Sequence, residues 1–189
     1  MSEPRYSATE FALSENQKAE RKLLVTCVNM GDSITKTDGT PNFVPIGAGV
    51  EDSSVEFNPE TSKSTDIFGN TETTVDKLQT SQGMDPMTVR GGNPFLFKLI
   101  DIIERNALSE FSLFEVMIIR GYIKEGEANA AGGYHAEVHK NCTITPQREG
   151  GSAYVDMPIN IDYSNDKVLG TVDTYKPTPE KPINFTPLS

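Results

Sequence analysis

Two stretches in the C-terminal half alternate between apolar and polar residues, a pattern satisfied by an extended strand with one dry face. In the first, Tyr134, Ala136, Val138, Cys142 and Ile144 share one side, while His135, Glu137, His139, Asn141 and Thr143 share the other. In the second, Ala153, Val155, Met157, Ile159, Ile161 and Tyr163 are expected to face inward, opposite Tyr154, Asp156, Asn160 and Asp162. Between them, 145–151 carries Pro146 and the pair Gly150 and Gly151, which suits a turn. A chain with such segments builds its core from sheet faces.

The other segments fit that frame. Residues 23–30 (LLVTCVNM) read as a strand, 43–49 as a weaker one, and 31–42 as a turn-rich connection. The pieces 53–58 and 71–82 read as the arms of a long hairpin, spanning 53–82, whose connection 59–70 is too polar for a core. On 71–82 neither side is apolar enough to bury, so the hairpin is expected to project. Residues 93–108 predict the one helix. Asn93 is an N-cap, Pro94 suits the first helical position, and Phe95, Leu96, Leu99, Ile100, Ile102 and Ile103 form its apolar face. Phe97 falls on the border of that face, where a neighbouring chain is expected to cover it. Apolar on both sides, 113–123 predicts a central strand, and 167–175 a final one. The organisation expected is an N-terminal arm (1–20), a β domain (21–172) and a Pro-rich tail (173–189). The fold class is mainly β: a sandwich or open barrel of about seven or eight strands flanked by one helix, with a projecting hairpin and extended termini.

Composition adds a second constraint. Only 36 % of the residues are apolar and Trp is absent, which is lean for a compact monomer and points to surface completed by assembly. A net charge of −10 argues against a firm grip on nucleic acid, since phosphate binding rests on Lys and Arg, but suits a surface that DNA passes without sticking. No run approaches the ~18–20 apolar residues of a membrane helix, so no membrane partner is expected. The first residues lack a signal-peptide pattern, and synthesis in a cytoplasm is expected. Cys27 and Cys142 each sit inside an apolar run and read as buried free thiols.

Reactive chemistry finds no foothold. His135 and His139 are spaced for one face of a strand, which separates them by ~13 Å and prevents them sharing an ion bound at ~2 Å. No G-x-S-x-G elbow, calcium loop or phosphate cradle is present, and the paired glycines read as turns. Neither an enzyme nor a cofactor is expected. The acidic residues Glu137, Asp156 and Asp162 are read either as ordinary exposed groups or as the lining of an aqueous channel made by several copies, where negative charge repels phosphate.

The order of these segments resembles the major tail proteins, or tail tube proteins, of tailed bacteriophages. The resemblance rests on the polar hairpin VEFNPETSKSTDIFGNTETTVDKLQTSQ, the unit GGNPFLFKLIDIIERNALSEFSLFEVMIIRGYI, and the stretch from Tyr134 to the closing Gly170, Thr171 and Val172, together about 50–172. It implies a non-enzymatic virion protein, made in the host bacterial cytoplasm. Such a protein forms rings, usually hexameric, that stack into a tail tube with a continuous barrel around the lumen through which DNA leaves. It further implies that the hairpin loop reaches the next ring through Glu60, Lys63, Asp66, Ile67 and Phe68, and that both termini pack on neighbours. Its partners would be further copies of itself, other tail proteins (terminator, baseplate or tape measure) and passing DNA. The alternative reading is a monomeric β-sandwich binding module, carbohydrate-binding or adhesin-like. The absence of Trp and a count of six Tyr weigh against it.

Overall fold

The computed structural model describes residues 12–31, 42–50, 53–124, 133–176 and 183–188. The first part of the expected arm, most of the 31–42 connection and the middle of the Pro-rich tail lie outside the described residues.

Eleven strands and one α-helix are formed among the described residues: β1 Leu24–Asn29, β2 Phe43–Pro45, β3 Val55–Glu56, β4 Pro59–Thr65, β5 Thr71–Leu78, β6 Ser81–Met84, α1 Pro94–Glu104, β7 Phe114–Lys124, β8 Tyr134–Pro146, β9 Ile159–Asp162, β10 Lys167–Val172 and β11 Phe185–Pro187. The fold is mainly β, as expected, with more strands because several are only two to four residues long. One antiparallel sheet runs β2-β1-β7-β8-β9-β6-β3, with β10 pairing β8 and β11 pairing β10. That sheet curls onto itself. β1 and β6 are not neighbours along it, yet the Thr26 hydroxyl on β1 donates to Gln82 Oε1 on β6 across 3.1 Å. The main core lies inside this curl, where Val28, Val116 and Ile118 share a cluster with Met84, Ile144, Ile159 and Ile161.

β8 is the corner. Its first half, from Tyr134 to His139, lies between β7 and β10; its second half, Thr143 to Pro146, pairs with β9. Where the halves meet, the ladder with β7 slips and Asn141 adopts φ 53°, a left-handed conformation that Asn tolerates better than most residues. The extra residue reverses the facing of everything beyond it. Cys142 and Ile144 therefore enter the main core, whereas Ala136 and Val138 join a second cluster with Cys27, Met117, Ile119, Ile183 and Phe185. The single dry face expected for Tyr134, Ala136, Val138, Cys142 and Ile144 is thus divided between two cores.

α1 begins as its sequence dictates. The Asn93 side chain accepts from the Phe95 and Leu96 amides, with Pro94 in the first turn. Phe95, Leu96, Leu99 and Ile102 are buried, each contributing about 1.5–3 kcal/mol by leaving water. The helix stops short of 108 because Asn106 takes φ 54° and closes a Schellman turn, with Ala107 N–H donating to Ile102 and Asn106 N–H to Ile103. Arg105 then grips Asp101 and Glu110 at 2.8 and 2.9 Å, fixing the short turn that leads into β7.

Two further expectations change. Met157, Ile159, Ile161 and Tyr163 are buried, but Ala153 and Val155 are exposed, because 152–156 bends around a tight pairing of Gly150 with Asp156 rather than continuing β9. The end of the Pro-rich tail is not a free arm. Ile183 and Phe185 are buried and β11 pairs β10 on the chain's own sheet. Gly170 allows this, since a Cβ there would lie 2.4 Å from the Thr186 carbonyl oxygen. The described part of the N-terminal segment also touches the body, Ala12 N–H donating to Tyr122 O.

Candidate functional site

β4 and β5 form a two-stranded sheet of their own, pairing with no other strand among the described residues, and every residue of both is exposed. The ladder from Pro59 to Thr65 sits opposite Leu78 to Thr71, with one irregularity after Glu60. This narrows the projecting part of the expected 53–82 hairpin, since β3 and β6 at its base belong to the main sheet. The base is fastened by Asn58, whose side-chain amide donates to Gln79 O and Ser81 Oγ at 3.0 and 2.9 Å. Along the stem, Glu60 pairs with Lys77 at 3.0 Å, and hydroxyls meet across the strands at Ser62 and Thr74, and at Thr65 and Thr71. Lys63 lies opposite Thr73, exposed.

The tip is built from one side chain. Asp66 Oδ1 accepts from the Phe68 and Asn70 amides, each at 2.9 Å, and Oδ2 accepts from Asn70 Nδ2. Gly69, at φ 81°, supplies the left-handed residue that this turn needs. The Asn70 hydrogen bonds hold the Asp66 carboxyl below its usual range. This fixed turn points Ile67 and Phe68 outward, 94 % and 84 % exposed. Two large apolar side chains on a braced turn thus stand uncovered by any of the described residues.

The structure thus brings Glu60, Lys63, Asp66, Ile67 and Phe68 onto one projecting element, and sets the other sequence-derived residues elsewhere. Phe97 stands on the outer face of α1, 75 % exposed, above a cleft of about 420 Å³ between α1 and the segment before it. Tyr154 and Val155 are also exposed and apolar, on the bend beside Val89, whose amide donates to Val155 O. Alternation placed Tyr154 outward, as found, but carried Val155 inward; the adjacent Gly150 and Gly151 were the signal that the strand ends.

The three acidic residues separate. Asp162 on β9 is exposed and Asp156 is half-buried. Glu137 is not on a wet face. It is buried, with Arg120 at 2.7 Å, Lys167 at 3.5 Å and His139 Nε2 at 3.5 Å. Burial pushes its carboxyl up, but His139, Arg120 and Lys167 outweigh that and hold it far below the ordinary range. His135 and His139 are buried as well, His139 through Nδ1–H to Ser164 O at 2.8 Å and edge-on to Tyr163. The polar side of β8 is covered because the curled sheet closes over it, and the polar groups answer one another there. Tyr163 donates to Gln82 Oε1, and Gln82 donates to Ser53 Oγ.

Among the described residues no group of three or more His, Cys, Asp or Glu could hold a metal, and no helix is long and apolar enough to cross a membrane. Both cysteines are buried free thiols, and burial raises Cys142 to about 11, which keeps it protonated and unreactive.

Fold and surface together define a curled, mainly β domain that carries a braced apolar tip on an exposed ribbon. No family model and no curated protein sequence matches the chain. Similar solved chains include one from an extracellular contractile injection system, the PVC sheath–tube complex in its extended state. It is 14 % identical over 83 % of this chain and 94 % of that one, with a TM-score of 0.46. A chain of the PVC sheath/tube terminator is 14 % identical over 82 % and 99 %, with a TM-score of 0.47. A chain of the anti-feeding prophage cap, a tube-terminating cap, is 14 % identical over 88 % and 99 %, also at 0.47.

Proposed function

We propose that this chain is a non-catalytic structural subunit that assembles with copies of itself into rings, hexameric by the resemblance of its segment order to tail tube proteins, and that the rings stack into a tube. The observation that carries this reading is the β4–β5 hairpin, exposed along its whole length and ending in two outward apolar side chains. An isolated two-stranded ribbon is at best marginally stable in water. A second copy of the chain gives it a surface to bury.

In this reading the tube belongs to a virion tail, ends on other tail proteins and passes DNA. Asp162, exposed on β9, and Asp156 then contribute to an acidic lining, while Glu137 is a structural group inside the subunit. The net charge of −10 suits a conduit that must not hold phosphate.

The test is electron microscopy and sedimentation of the purified protein, beside a variant in which 59–78 is replaced by a two-residue turn. Asn58 and Gln79 are already hydrogen-bonded, Gln79 N–H to Asn58 O, so the shortened chain closes without disturbing the sheet. The whole protein is expected to form rings or tubes and the variant to stay a folded species that does not stack. A strictly monomeric whole protein at high concentration removes the proposal, and a variant that stacks normally removes the hairpin from it. Lysines at positions 156 and 162 are expected to slow DNA passage; unchanged passage removes the lining.

A further inference from the structure

We infer that the apolar tip of the hairpin seats in the cleft at the start of α1 of another copy, the two surfaces forming opposite ends of one subunit. This deepens the stacking reading above, and rests on it.

The geometry comes from one ladder. β6 runs antiparallel to β9 from Ser81 opposite Asp162 to Met84 opposite Ile159. The pairing continues past β6, with Met157 N–H donating to Met87 O, a bridge between Thr88 and Asp156, and Val89 N–H donating to Val155 O. The hairpin leaves at the Ser81 end, fastened by Asn58 to Gln79. The cleft opens at the other end, where Val89 leads into Arg90, Gly91, Gly92 and α1. The hairpin's base and the cleft therefore lie at opposite ends of the same extended run, and the tip, ~23 Å along the seven-residue stem, lines no part of that cleft. A tip carried away from its own cleft can fill only another copy's.

Complementarity supports the pairing. The cleft, about 420 Å³, is walled by Val89, Pro94, Leu96, Phe97 and Ile100, predominantly apolar surface open to solvent. Arg90 also lines it, with its guanidinium beside Gly49. The tip offers Ile67 and Phe68 for the walls and the ionised Asp66 for Arg90. Different patches on the two ends make a head-to-tail contact, which extends without closing when the operation between copies is a translation along one axis. That is how a stack grows. The same logic explains why the tip is braced by three hydrogen bonds to one carboxylate, since a fixed turn loses little freedom on docking.

The experiment mixes two single variants, Phe68→Cys and Phe97→Cys, at concentrations where the whole protein assembles, followed by mild oxidation. Both positions are exposed, so folding is undisturbed, and the native thiols are buried. Crossed dimers in the mixture, with few in either variant alone, are the expected result. Assembly of the mixture without crossed dimers overturns this contact and leaves the stacking reading intact. No assembly at any concentration, including by the unmodified protein, overturns both. In parallel, Ile67→Asp is expected to raise the critical concentration for assembly roughly tenfold or more, as loss of a buried interface anchor does. A critical concentration within twofold of the original contradicts the inference.

Discussion

The curled sheet and the β4–β5 ribbon are made of the same kind of ladder and held by opposite means. In the sheet, β7 carries Val116, Met117, Ile118 and Ile119 fully buried between two clusters, and polar groups survive inside only in company, as Glu137 does with Arg120, His139 and Lys167. In the ribbon nothing is buried, and side-chain support comes largely from surface pairs such as Glu60 with Lys77 and Ser62 with Thr74, each worth a fraction of a kcal/mol. The lesson is that one region owes its order to burial within its own chain, whereas the other is held by backbone pairing and exposed side-chain contacts alone.

Substitutions should separate the two. Arg120→Ala removes the nearest charge partner of buried Glu137, at 2.7 Å, and is expected to cost about 3 kcal/mol, read from urea unfolding. A loss below ~1 kcal/mol shows that the carboxylate is less enclosed than described. The same group sets a pH dependence. Its folded pKa lies below the ordinary 4.5, so its stabilising contribution is complete above that value and is lost as pH falls below it. Unfolding titrations from pH 6 to 3 should therefore show stability falling, and Glu137→Gln should flatten that slope while lowering stability at neutral pH.

Gly170→Ala tests how the tail is held. A methyl there meets the Thr186 carbonyl and the Phe185 ring, and is expected to cost about 1–3 kcal/mol and to expose β11 to protease first. The smallest effect belongs to the ribbon. Val75→Ser should change the stability of the unassembled subunit by no more than ~0.5 kcal/mol, since the side chain is already in water. A larger loss would mean that the ribbon leans on the body after all.

Local chemistry was legible in the sequence. The start of α1 is specified by Asn93 and Pro94, and the ribbon's exposure follows from polar residues on both of its sides. What failed depended on distant parts of the chain. Period two describes β8 only until Asn141, where a slip against β7 reverses the facing; no alternation rule contains that residue's backbone angle. Glu137 was read as wet because alternation puts it on the side shared with His135 and His139, but its cover comes from the sheet's closure and its charge partners from β7 and β10. The tail's return was hidden because Ile183 and Phe185 sit among prolines, and Gly170, which admits them, lies far back in the chain. For the candidate site, the loop residues Glu60, Lys63, Asp66, Ile67 and Phe68 came from the family resemblance and stand as a proposal, whereas Val155 became visible as exposed only once the bend at Gly150 turned it away from the core.

Amide hydrogen exchange across 59–78, followed from dilute to concentrated protein, puts the contrast between the two regions to the most direct test. The ribbon should exchange rapidly in the dilute subunit and become protected as assembly proceeds, with β7 and β8 slow throughout. Ribbon protection that is already high in the dilute subunit, or that stays low in assembled material, would contradict the claim that another copy completes it.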